Sequence, residues 1–168
     1  NKLSSLGSRF SDNLNRFDAA LSLTFTEAEL DGVSDRAKSM MGKDEYGNLV
    51  ATVYNGGLGE ISRYAHNEAV RKRVYEAQVA FGNAAGFDNR PIIKKIVAVR
   101  KQICSLLGYD NHADMTLDRK MAKNVATVDA FLESFKSKLI GTAAREAKEF
   151  TMEGRKILGR KMMFWDRS

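Results

Sequence analysis

Few side chains in this sequence could do chemistry. Its 168 residues include two histidines and one cysteine: His66, His112 and Cys104. Neither histidine belongs to a His-Glu-x-x-His pair or another spaced ligand set. His112 stands among Asp110, Asp114 and Asp118, and the last two share a helix face at four-residue spacing. Helix capping by Asp110 or Asn111 and solvation of the rest account for that group without a metal. Cys104 falls on an apolar helical stripe, so it reads as a small core residue rather than a nucleophile. Gly56, Gly57 and Gly59 form a turn, since no strand–loop–helix with a lysine follows to cradle a phosphate. Met40, Met41, Met115, Met121, Met162 and Met163 read as gap-filling core residues rather than a soft binding stripe. The residues alone assign no catalytic, cofactor-binding or metal-binding position.

The elements that must position these side chains centre on residues 88–122. Asp88 and Asn89 are capping candidates for a helix with Pro91, the only proline, in its first turn. Ile92, Ile93, Ile96, Val97, Ile103, Cys104 and Leu107 then recur at helical steps. Arg100 falls on the same face. A guanidinium on an apolar stripe needs a carboxylate or carbonyls in reach, so a structural ion pair with a neighbouring helix is expected there, with snorkelling past the helix edge to water as the alternative. Gly108 closes the helix as a C′ glycine, and a shorter helix starts at Asp110 to Asn111.

Composition bounds the rest. A chain of this length is expected to form a single helical domain over residues 1–168, since a domain of such size buries roughly 70% of its unfolded surface. A single cysteine rules out an internal disulfide framework. No uncharged run approaches the ~20 residues of a membrane span. The net charge of +6 comes from 27 basic and 21 acidic residues. Basic clusters occur at Arg71–Arg73, at Lys94 and Lys95, and at Arg155, Lys156, Arg160 and Lys161. They support an alternative reading as a stand-alone basic helical module that binds nucleic acid. The interspersed acids, and the lack of an RNA-binding signature, favour a solvated surface instead. The chain opens at Asn1 beside an established apolar period and stops after Trp165-Asp166 without a closing turn, so it is expected to be a piece of something longer.

In chain order, Leu3, Leu6, Phe10, Leu14, Phe17 and Leu21 predict an amphipathic helix. Leu21–Phe25 alternates like a strand. Thr26 and Glu29 form a capping-box signature, and Ser34 or Asp35 caps a short helix reaching Met41. Gly42–Gly47 is a polar turn before a second strand over Leu49–Tyr54. A long helix is expected from Leu58 to Ala85, apolar on two sides and so sandwiched, ending at Gly86. The last helix runs from Val125 to Leu158 and carries Val128, Phe131, Leu132, Phe135, Leu139, Ala143, Ala147 and Phe150 on one face. The fold class is mainly α, a helical bundle with one small two-stranded β element. If the chain is a piece, Phe150, Met162, Met163, Phe164 and Trp165 are candidates for exposure.

The run Leu106-Leu107-Gly108-Tyr109-Asp110-Asn111-His112-Ala113-Asp114, with Arg100 before it and Lys120-Met121-Ala122 after it, resembles the thimet oligopeptidase, oligopeptidase A and peptidyl-dipeptidase family of zinc metallopeptidases. Phe10, Asn13 and Leu14 are similar to that family's Phe-x-x-Asn-Leu helix. Leu30-Asp31-Gly32-Val33 is similar to its Glu-Leu-x-Gly-Leu-Pro segment, with Ser34 where the family has proline. Asn67, Arg71 and Tyr75 resemble its Asn-x-x-x-Arg-x-x-x-Tyr helix, and Trp165-Asp166 the start of its next helix. The resemblance implies a cytoplasmic enzyme that hydrolyses short peptides, its zinc held by His-Glu-x-x-His and a later glutamate. None of those positions occurs in residues 1–168. The segment would then be a helical, channel-walling part of the N-terminal half. Its partner would be the C-terminal catalytic half of the same polypeptide, and zinc would be a cofactor of the parent only.

Overall fold

The computed structural model describes residues 1–167. The elements run α1 Lys2–Ala20, β1 Ser22–Phe25, a 3-10 turn Ala28–Leu30, α2 Asp35–Met40, β2 Gly42–Lys43, β3 Leu49–Thr52, α3 Gly57–Tyr64, α4 Glu68–Val79, α5 Arg90–Leu106, α6 His112–Leu117, α7 Val125–Leu158 and a 3-10 turn Phe164–Asp166. The fold is mainly α. Its sheet differs from expectation: β2, only two residues long, lies inside the stretch read as a turn. The antiparallel order is β1-β3-β2, with Phe25 opposite Leu49 and Gly42 opposite Val50. Asp44 makes the bend between β2 and β3 by accepting from the backbone N–H groups of Tyr46 and Asn48, which is Asx-turn chemistry.

The chain divides into two compact units. The first, Ser4–Ile93 with the residues from Met163 onward, holds the sheet. Its core is one cluster that includes Phe25, Leu30, Leu49, Ala51, Leu58, Ile61, Val70 and Val74. Here the local rules agree with the outcome. Thr26 and Glu29 exchange hydrogen bonds of 2.7 and 3.3 Å through their backbone N–H groups, so the capping box forms. That bond from the Thr26 backbone holds the Glu29 carboxyl below its ordinary range. Ser34 caps α2 by accepting from the Ala37 N–H. All six apolar residues assigned to the α1 face are buried or half-buried.

The helix expected over residues 58–85 is two helices. α3 stops at Tyr64, and Asn67 restarts the chain as the N-cap of α4, accepting from the Ala69 N–H at 3.0 Å. On one continuous helix Ile61 and Ala65 would face away from Val70 and Val74; the break turns both pairs into one core, so the two-sided pattern marks a reorientation rather than a sandwiched helix. α4 then ends at Val79, well before Gly86. In the loop that follows, Phe81 and Phe87 pack edge-on against Phe17 with ring centroids 5.6 and 5.8 Å away. Asn89 sits at the N-terminus of α5, 1% exposed. Its amide donates to the Phe10 carbonyl at 3.1 Å and accepts from Asn13 at 3.0 Å.

The second unit is Asn1–Leu3 with Lys94–Met162. α5 ends in a full Schellman closure: the Tyr109 N–H donates to Cys104 O and the Gly108 N–H to Ser105 O, with Gly108 at φ +78°. Asn111 caps α6 and Asn124 caps α7. α7 spans 34 residues, none of them buried.

Asn89→Ala should leave the Phe10 carbonyl and the Asn13 amide without this partner. The expected cost is about 1–3 kcal/mol, read as a lower urea midpoint with an unchanged slope.

Candidate functional site

The His66 Nδ1 lies 3.0 Å from Asp31 Oδ2, with both side chains largely in solvent, and the His66 N–H donates to the Asp31 carbonyl. Between them Gly32 adopts φ +90°, and a Cβ there would run into the Tyr64 carbonyl and the His66 ring. The hydrogen bond from His66 holds the Asp31 carboxyl below its ordinary range. Cys104 is fully buried with its thiol 3.9 Å from the Met115 sulfur. His112 opens α6, and its buried Nδ1 has no protein partner. Asp114 is engaged by Asn111. Asp118 accepts from the Tyr109 hydroxyl at 3.0 Å, and that bond pushes the Tyr109 pKa up. Among the described residues no three His, Cys, Asp or Glu side chains are grouped to hold a metal ion. A zinc site does not fit the donors present.

Arg100 corrects the sequence reading. It is exposed and makes no ion pair among the described residues. The helix α5 carries two apolar rows, and only the row of Ile92, Ile96, Val99 and Ile103 is covered. Ile93, Val97 and Leu107 are 46%, 58% and 61% exposed, and Arg100 shares their side. Val99, buried, lay outside the expected stripe. The methionines divide as well: Met41 and Met162 are buried, whereas Met40 and Met121 are exposed.

The charge pair that does form involves Arg71. One guanidinium nitrogen donates to the carbonyls of Ala65 and His66 at 2.7 and 2.8 Å, and the other to Asp166 at 2.7 Å. The two side chains are 13% and 2% exposed. One helical turn on either side, the same face of α4 continues the contact. The Trp165 indole N–H donates to Glu68 at 3.1 Å, and Tyr75 stacks on Phe164 with centroids 6.1 Å apart. Asp166 also accepts from the Met163 N–H at 2.8 Å. Asn67, Arg71 and Tyr75 therefore form one working face: the first caps α4, the others clamp the strap 163–167. Of the five residues named as exposure candidates, Phe150 and Phe164 are more than half exposed, Met163 and Trp165 are half-buried, and Met162 is buried.

This arrangement is a structural clamp in a mainly helical chain. The chain belongs to peptidase family M3, whose model matches residues 61–168. It is 32% identical over 143 residues to oligopeptidase A of Salmonella typhimurium, an alignment covering 78% of this chain and 21% of that protein. It is 30% identical over 145 residues to a probable thimet oligopeptidase of Arabidopsis thaliana, covering 86% and 20%. With saccharolysin of Saccharomyces cerevisiae it shares 29% over 130 residues, covering 74% and 18%. The chain thus spans about a fifth of the length of the relatives it matches. No described helix is long and apolar enough to cross a membrane.

Two arginines provide a controlled contrast. Arg71→Met removes the guanidinium from a buried carboxylate and should cost about 3–5 kcal/mol of unfolding free energy. Arg100→Met should stay within ~0.5 kcal/mol. Equal losses in urea titrations would contradict both assignments.

Because the Asp31 pKa is depressed, its contribution to stability is present above the ordinary carboxylate range and is lost as pH falls through the lowered value. In His66→Ala the Asp31 carboxyl should titrate at higher pH, as followed by NMR of its side-chain carbon.

Proposed function

We propose that this chain is a helical scaffold segment from the N-terminal half of a zinc-dependent oligopeptidase, and that it helps wall the channel which admits short peptides. In this reading the zinc ligands lie elsewhere in the polypeptide, the intact enzyme is cytoplasmic, and residues 1–168 supply shape rather than reacting groups. One combination carries the reading. The chain belongs to a peptidase family, yet its described donors assemble no three-ligand group of the kind a catalytic zinc requires.

The nucleic-acid alternative has no comparable support. Lysines of α4 and α7 face acids on their own helices, as in Lys72–Glu76, Lys136–Glu133 and Lys156–Glu153. This produces a mixed surface rather than a basic stripe.

The test compares the chain with the intact protein. Residues 1–168 should bind no stoichiometric zinc by metal analysis and cleave no peptide. The intact protein should cleave short peptides and lose that activity to a chelator, with recovery on adding zinc. Chelator-sensitive cleavage by residues 1–168 alone would place the active site within them and sink the proposal.

A further inference from the structure

The turn between β3 and α3 carries a chemically unstable pair. Of this chain's asparagines only Asn55 is followed by glycine. Asn-Gly is the sequence most prone to lose its side-chain amide, because no Cβ hinders the nitrogen that follows. The fold demands both residues for separate reasons. Gly56 N-caps α3 at φ +72°, a left-handed conformation that glycine adopts without steric cost. Asn55 ties the turn together through both ends of its carboxamide. Its Oδ1 accepts from the Thr52 and Gly57 N–H groups, each at 2.9 Å, and its Nδ2 donates to the Val50 carbonyl at 2.8 Å. A carboxylate could accept the first two bonds but has no proton to give to the third.

We propose that Asn55 is a site of spontaneous deamidation which the folded turn holds in check, so that the side chain converts when the turn opens. Hydroxide removes the proton from Gly56 N, and that nitrogen attacks Asn55 Cγ. The N–Cγ bond forms, the Cγ–Nδ2 bond breaks, and the amide group leaves as ammonia after taking a proton from water. Water then opens the cyclic imide at either carbonyl. The product is aspartate or, where the main chain is rerouted through Cγ, isoaspartate.

Both reacting groups are restrained in the fold. The Gly56 N–H donates to the Val53 carbonyl at 3.3 Å, so the proton that must leave is engaged. The carboxamide is fixed by its three bonds, and the Asn55 N–H donates to the Thr52 hydroxyl at 3.2 Å. Exclusion of water is not the restraint: Asn55 and Gly56 line a surface cavity of about 380 Å³, and Gly56 is exposed. Neither product rebuilds the turn. Aspartate sets a carboxylate oxygen against the Val50 carbonyl, where a donor had been. Isoaspartate adds a methylene to the main chain beside Gly57, where space is short. Even a Cβ on Gly57 would stand 2.9 Å from Asn55 Oδ1 and 3.0 Å from the Ala51 Cβ. Each opening of this turn therefore carries a chance of irreversible loss.

The test follows Asn55 by peptide mapping and mass spectrometry in mildly alkaline buffer. It compares the intact protein with a synthetic peptide of residues 50–60, too short to form the sheet-to-helix turn. Asn55 should deamidate at least about 30-fold more slowly in the intact protein, as for a site that reacts only by local opening. Comparable rates would overturn the proposal. Thr52→Val removes the hydroxyl that holds the Asn55 N–H. It should speed the reaction in the folded protein by about two- to tenfold, the factor that one hydrogen bond of ordinary net worth represents. The rate in the peptide should not change, and a urea titration of the variant corrects for any global loss of stability. An unchanged rate in folded Thr52→Val would place the restraint outside this turn and sink the idea. Asn55→Asp, the deamidated product made directly, should unfold at a lower urea midpoint. A midpoint equal to that of the parent would show that the turn does not need the carboxamide.

Discussion

The sheet-bearing unit depends on how one charge is satisfied. Arg71 cannot shed its proton, and at 13% side-chain exposure it cannot rely on water. Its hydrogen bonds to Ala65 and His66 take up carbonyls released where α3 breaks into α4. Its bond to Asp166 brings in a residue 95 positions away. A helix break, a helix start and a C-terminal strap thus become one local structure. Exposed carbonyls at the break would be tolerable alone, but a buried carboxylate without a cation is costly. The bond is a condition of this packing more than a source of net stability.

Aromatic contacts extend the same arrangement. Tyr75 lies against Phe164 and Trp165, and Lys72 sits 5.3 Å from the Trp165 ring centroid. Beneath them Val70 and Val74 enter the core cluster. One helix, α4, therefore serves two purposes at once: an apolar row faces the sheet side of the core, and a polar and aromatic row holds the strap. The second unit has no equivalent. α7 is capped well at both ends, by Asn124 and by Gly159 at φ +66°, yet its apolar face remains in solvent. Local chemistry defines where that helix begins and ends, and only residues near its ends, such as Val128 and Leu158, are half-buried.

Much of this was legible residue by residue. Ser34, Asn111, Gly108 and the Thr26–Glu29 box act within a few positions of themselves, so their roles follow from spacing and side-chain type. The bounds of α7, Val125 to Leu158, match the reading because its caps are local too. The break at Ala65–Asn67 was misread, because the reversal of the apolar face between Ile61 and Val70 fits a helix sandwiched between neighbours as well as two helices facing one core. Asn67 followed by Glu68 was a second signal, a weak capping pair.

The sequence by itself determined the helical class, most caps and the amphipathic faces, because hydrogen bonds and periodicity within one element depend on neighbouring residues. It also determined, through its runs of similarity, the family to which the chain belongs. Only the tertiary structure decided which apolar row of a two-rowed helix is covered. α5 buries Ile92 and Val99 and leaves Val97 and Arg100 in solvent, a choice no helical wheel contains. Tertiary structure also decided which arginine becomes structural. Arg100 and Arg71 are the same side chain on similar helices, and what separates them is Asp166, brought from the far end of the chain. Burial and ion pairing are properties of what arrives from elsewhere, and spacing within an element cannot encode them.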